Sequence, residues 1–156
     1  VTVGLYAIFL HAAKLAIRAG LTLALLVFQA FAPVHAEVLK AGDEKLVLAV
    51  VQGQLAALAR DDADKAFSYA APNVRRSVGS AAEFMTMVRR GYPVVYRPSS
   101  VAFMKPEGRG DEAVQRVHMI DARGKSWLAV YSLQRQRDKV WRITGCAVAE
   151  SRESFI

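Results

Sequence analysis

The chain has 156 residues, a formal charge of +7 and a single cysteine. That length gives room for one domain and a leader, and one cysteine excludes an intrachain disulfide and a multi-cysteine zinc site. The basic residues are scattered rather than gathered into the dense stripe of a nucleic-acid binder, so no nucleic-acid partner is expected.

Residues 1–36 read as a secretory signal peptide. Lys14 and Arg18 precede an apolar run, and Pro33-Val34-His35-Ala36 ends on a small residue at a permissive cleavage position. Two of the 21 basic residues lie in this leader and all 14 acidic ones follow it, so the body beginning at Glu37 carries +5. The competing reading is an uncleaved inner-membrane anchor, the one route by which the protein would touch a membrane. A span needs about 20 apolar residues; residues 21–31 are too few, and a longer span would bury Lys14 and Arg18. A periplasmic or secreted location is therefore expected. Val1 in place of Met points to an alternative start codon or an overlong reading frame.

In the body, residues 44–60 predict a long helix, with Val47, Val50, Val51, Leu55 and Leu58 at helical spacing. Gly53 weakens it unless something packs closely there. The acidic turn Asp61-Asp62-Ala63-Asp64 breaks the pattern, and one of its aspartates is placed to cap a second helix over residues 63–71. Pro72 suits the first position of a further helical turn running to Gly79. Ser80 and Glu83 have the spacing of a capping box. The helix it opens, over residues 81–90, buries Phe84, Met85 and Val88. Gly91 is expected to end it in the left-handed conformation, so that Gly91→Val would destabilise the domain. Pro93 is expected to prevent the helix from resuming.

The pattern then changes to short strands joined by turns: residues 101–104, 113–121, 126–136 and 140–149. This is an antiparallel meander. Val114, Arg116, His118 and Ile120 share one face of the second strand; Trp127, Ala129, Tyr131 and Leu133 alternate on the third. Three helices followed by four strands make an α+β domain over residues 37–150, with a patternless tail over residues 151–156.

The acidic turn with Phe67-Ser68-Tyr69-Ala70, the run Arg90-Gly91-Tyr92-Pro93 followed by Tyr96-Arg97-Pro98, and Val140-Trp141-Arg142-Ile143-Thr144-Gly145-Cys146 together resemble the DUF4864 domain family of secreted bacterial proteins. The likeness covers about residues 46–148. More distantly the layout resembles the NTF2-like (cystatin-like) cone, in which N-terminal helices pack on a bent sheet around a pocket. The resemblance implies that fold and no particular activity, because the cone hosts enzymes, binding modules and dimerisation domains.

Residues 87–98 are the best candidate for a pocket rim. Tyr92, Tyr96 and Tyr131 join an apolar ring to a polar tip, which suits a pocket wall. Arg97, with Arg89 and Arg90, could hold an anion through paired N–H groups, or the latter two could be a solvated helix end. His118 would be a ligand contact or general base only if its face lines the cone and a carboxylate lies within bonding reach. Asp61, Asp62 and Asp64 read as helix-capping residues, Trp127 and Trp141 as sheet core, and Cys146 as a buried, inert thiol. Gln115 and Arg116 are alternatively placed to reach a neighbouring subunit. No metal-ligand cluster, phosphate loop or nucleophile elbow is present, so no catalytic residue, metal or cofactor is expected. The sequence favours non-catalytic binding of a small ligand or protein partner in a cone pocket. A hydrolase or isomerase using His118 or a pocket tyrosine, and a homodimer through the sheet, are the alternatives.

Overall fold

Val47, Val51, Leu55 and Leu58 fall on one face of helix α1 (Ala41–Ala59) and are buried against the sheet and the later helices. The computed structural model describes residues 38–151. The leader expected over residues 1–36 lies outside the described residues, as do residues 152–156. The helix begins three residues before the predicted start, because Asp43 and Glu44 fit the first turn, where carboxylates complement the helix dipole. Gly53 is the point at which the Tyr69 ring lies directly on the helix.

Helix α1 ends in a full Schellman turn. Asp61 N–H bonds to Leu58 O at 3.1 Å and Asp62 N–H to Ala57 O at 2.9 Å. The left-handed position is filled by Asp61, at φ 59°, rather than by glycine. Asp62 then caps helix α2 (Ala63–Ser68), accepting from Lys65 N–H at 3.0 Å. Helix α2 stops earlier than periodicity predicts because Tyr69, Ala70 and Ala71 pair with Ile143, through two backbone bonds of 2.8 and 2.9 Å. Helix α3 (Pro72–Val78) starts on its proline and ends at Gly79, φ 98°.

Ser80 caps helix α4 (Ala81–Gly91) as expected, accepting from Glu83 N–H, and its hydroxyl donates to the Glu83 carboxylate at 2.9 Å. Two expectations for the end of this helix are overturned. Gly91 is still helical and has no positive φ, so it is not a left-handed cap, and a Cβ there would meet nothing within 4 Å. Pro93 does not end helical structure either; it opens a single further turn, α5 (Pro93–Tyr96), whose Val94 and Val95 are buried. A proline lacks only the N–H that a first helical residue leaves unbonded anyway.

The sheet runs in the order β1 (Ser100–Phe103), β3 (Glu112–Ile120), β4 (Ser126–Arg135), β5 (Trp141–Glu150), all antiparallel. A fifth strand that the sequence hid in a turn, β2 (Glu107–Arg109), pairs with the other half of β3 on the same edge as β1. Where the chain steps from β1 to β2, Gln115 Nε2 donates to Met104 O at 2.7 Å and to Arg116 O at 2.8 Å. Gln115 is thus inside the domain and fully buried, not at a subunit surface. Ala113, Gln115, Val117 and Met119 form the inner side of β3; Val114, Arg116, His118 and Ile120 alternate with them on the outer side.

Opposite Ser132 and Leu133, β5 carries one extra residue, Thr144, between the paired Ile143 and Gly145. Such a bulge reverses the alternation beyond it. Trp141 and Ile143 point inward before it; after it Cys146 is brought beside the inward-facing Tyr131. At the far end of the sheet, Asp43 in α1 accepts from Trp141 Nε1 at 3.0 Å and pairs with Arg135 at 3.2 Å. This anchors the start of the helix to β4 and β5. Losing the carboxylate would strand the indole N–H of the buried Trp141, at a cost of about 1–3 kcal/mol.

The helix ends give a direct test. Gly91→Ala should stabilise the domain by about 0.4–1 kcal/mol in urea unfolding, since the backbone there suits any residue. Gly79→Ala, which must hold φ 98° against the Glu83 side chain, should destabilise it by more than that. Equal effects would show the cap assignments to be wrong.

Candidate functional site

Four short helical segments and one face of α1 roof the inner face of the sheet, and the roof is incomplete. Between them lies a cavity of about 220 Å3. Leu58, Phe84, Val88, Val95 and Ile143 make its buried apolar lining, while Val74, Val78, Tyr92 and the exposed Met87 surround its mouth. Tyr131, on β4, lines it too: the residue is 1% exposed, and its hydroxyl is enclosed by protein rather than open to the cavity. Cys146 stands next to it across the β4–β5 ladder. The phenol and the thiol are close enough for each to shift the other's ionisation. Gln54 also reaches the cavity, with its Nε2 committed to Ala66 O at 3.2 Å.

Burial sets the protonation of both sheet groups. It pushes the Tyr131 phenol well above its ordinary value, with the Cys146 sulfur adding to the shift. Burial likewise pushes the Cys146 thiol up to about 11, partly offset by the tyrosine. Both are neutral at physiological pH. Among the described residues its lining contains no carboxylate, no histidine and no cation.

The residues singled out from the sequence fall in three places. Tyr92 and Tyr131 meet at the cavity. Tyr96 and Arg97 are drawn to Asp61, with Arg89. Arg89 Nη2 bonds to Asp61 Oδ1 at 2.6 Å, Arg97 Nη2 to Oδ2 at 2.8 Å, and the Tyr96 hydroxyl donates to Oδ1. The Arg89 and Arg97 guanidinium groups also lie 5.1 and 4.8 Å from the centre of the Tyr96 ring. Arg97 and Tyr92 further border an outer groove of about 480 Å3, together with Arg123, Lys125 and Trp127. His118 lies on the outer face of β3, paired with Ala102 and Leu128, across the sheet from the cavity. Cys146, expected to be a buried and inert thiol, packs against the core with its pKa raised by burial, and it also lines the cavity. The Thr-Gly pair before it was the available signal, because glycine inside a strand often marks a bulge.

Asp61 gives a pH test. Its hydrogen bonds from Tyr96 and Arg89, with the charges of Arg89 and Arg97, hold its carboxyl below the usual carboxylate range. A carboxylate with a depressed folded pKa stabilises fully above its unfolded value, near 3.9, and the contribution disappears as pH falls through the folded value. Asp61→Asn should therefore lose less melting temperature than the parent between pH 5 and pH 3. Residual acid sensitivity should come from Asp121 and Asp138, whose pKa values are also lowered. Parallel curves for parent and variant would show that the cluster is not coupled to folding.

Comparison with known proteins places the chain in a family. The family model described as "Domain of unknown function (DUF4864)" matches residues 40–156, and the chain belongs to that family. No curated protein matches it. A solved structure of an NTF-2 like protein of unknown function from Burkholderia xenovorans LB400 is 14% identical, with a TM-score of 0.48, over 71% of this chain and 88% of that one. A protein from Kribbella flavida DSM 17836 is 17% identical, with a TM-score of 0.45, over 69% of this chain and 88% of that one.

Proposed function

We propose that this DUF4864 domain is a non-catalytic binding domain of the periplasm or extracellular space, which takes a small ligand into the cavity between its helices and its sheet. The observation that carries this reading is the cavity itself, about 220 Å3 and walled by the buried apolar side chains of Leu58, Phe84, Val88, Val95 and Ile143. An apolar cavity of about 150 Å3 already has room for a small ring compound. The leader supports the location: a charged start, an apolar run and a small residue at position 36. Among the described residues, no helix is long and apolar enough to cross a membrane.

The enzymatic alternative has less support. General acid–base work needs a second titrating group within reach of the first, and the lining offers Tyr131 no carboxylate or histidine. His118 would have to act on the opposite face of the sheet.

Cys146 provides the test. With its thiol at about 11, the thiolate fraction near pH 8 is about 100-fold below that of an ordinary cysteine, since only the thiolate reacts. Labelling by Ellman's reagent should be slower by a comparable factor than in urea. Compounds that raise the melting temperature of the folded chain should slow it further. Ala70→Leu, which puts bulk into the cavity lining, should remove both ligand effects. Labelling at the unfolded rate, with no compound protecting, would mean that the cavity is not a ligand site.

A second reading, a homodimer through the sheet, draws on the outer face. There Leu128 and Val130 of β4 lie beside Ala149 and Ala147 of β5, with Arg116 and His118 alongside. A dimer by light scattering that Val130→Glu converts to monomer would support it; a monomeric parent would remove it.

A further inference from the structure

We infer a second binding site, in the outer groove of about 480 Å3, for a small monocarboxylate with an apolar body. This site is separate from the inner cavity and does not depend on the binding role proposed above.

The groove lies between the α4–α5 junction and the turn that joins β3 to β4. The turn is held in place by the protein itself. Asp121 Oδ1 accepts from the backbone N–H groups of Arg123 and Lys125 at 2.8 and 3.0 Å, and Oδ2 accepts from Trp127 Nε1 at 3.0 Å. One carboxylate thus fixes the backbone of two cations and the ring beside them. Lys125 Nζ lies 4.9 Å from the centre of the Trp127 ring and pairs with Glu150 at 2.7 Å. From the helical side comes Arg97, which gives Nη2 to Asp61 at 2.8 Å and keeps its other two nitrogens for a ligand.

Charge sets the head group. Arg97, Arg123 and Lys125 line the groove together with Asp121. Asp61 and Glu150 pair with two of those cations, and Arg89 shares Asp61. Four cations against three carboxylates leave one positive charge over. Arg123 is the lining cation that no carboxylate bonds among the described residues. One negative charge matches that surplus, and the guanidinium fork fits a carboxylate. A doubly charged phosphate would find one positive charge too few, with Asp121 alongside.

The body follows from the walls. Tyr92, Pro93, Val94, Trp127 and Val148 give the groove an apolar side. A bare ion gains nothing from that surface, whereas a ring laid over it leaves water. Charge and wall together specify an amphipathic monocarboxylate.

The experiment titrates the full-length chain with 3-phenylpropionate, its neutral amide, acetate and benzyl phosphate, following the Trp127 indole N–H by NMR. 3-Phenylpropionate should move that signal and bind about tenfold more tightly than the amide or acetate, the range of one charge-assisted hydrogen bond. Its advantage over the amide should shrink as salt rises, because exposed charges are screened. Benzyl phosphate should bind no more tightly. Arg123→Ala should lower the acid to the level of the amide, and the turn should survive, since Asp121 bonds to its backbone. Arg76→Ala removes the same charge from α3, outside the groove, and should leave the affinity unchanged. Ala70→Leu, which fills the inner cavity, should do likewise. Equal affinity for acid and amide, or equal losses in Arg123→Ala and Arg76→Ala, would overturn the site. So would binding that Ala70→Leu abolishes, since the probe would then sit in the inner cavity. Tighter binding of benzyl phosphate would overturn the head group.

Discussion

One helix is too narrow to cover this sheet. Four strands at about 4.8 Å spacing span roughly 15 Å, and a helix with its side chains is about 10–12 Å across. Helix α1 therefore leaves part of the inner face to be covered by the segments that follow it, and those segments are short. Helices α2, α3 and α5 have six, seven and four residues. Short helices can meet a curved sheet at several angles, but they cannot fill the space between them as one long helix would. The cavity follows from that arrangement: it opens where α3, α4 and α5 converge over β4 and β5.

The segments need fastening, and the fastenings are polar and peripheral. Asp43 pins the start of α1 to Trp141 and Arg135. Asp61, at its end, gathers Arg89 from α4, Tyr96 from α5 and Arg97 just beyond. Exposed ion pairs contribute little one at a time. Three donors converging on one carboxylate nevertheless fix a geometry, and this carboxylate sits on a backbone already turned into the left-handed region. The cluster sets where α5 lies, and so where Val95 and the adjacent Tyr92 stand at the cavity wall. Pairing of Tyr69 and Ala71 with Ile143 fastens the α2–α3 connection to the edge of β5 in the same manner. The outlying polar groups thus act on the site by positioning the apolar ones.

Much of this was legible in the sequence, unevenly. The Ser80–Glu83 cap, the buried trio Phe84, Met85 and Val88, and the alternation of β3 and β4 were all readable because each depends on local spacing. What spacing does not specify is which of two faces turns inward. On β3 the inner set is Ala113, Gln115, Val117 and Met119, and the outer set is Val114, Arg116, His118 and Ile120. Each holds apolar and polar members, and only the helices above decide between them. Strand β2 was hidden because Glu-Gly-Arg has no strand composition and exists as a strand through its pairing with β3. Gly91 looked like a cap because glycine at a helix end usually is one; here Tyr92 takes the cap position without needing a positive φ. Tyr131 was legible as a candidate, whereas Cys146 beside it was not, since a one-residue bulge reverses the facing of everything beyond it.

The pairing of Tyr131 with Cys146 shows what the bulge does for the cavity. It turns Cys146 to the inner face beside Tyr131, where burial keeps both groups neutral. Gln115, also fully buried on the inner face, uses its amide N–H groups to close the gap between β1 and β2. Polar atoms of the inner face are thus enclosed by the fold. What the cavity presents to an entering molecule is mainly its apolar wall, bordered at the mouth by Met87 and Tyr92.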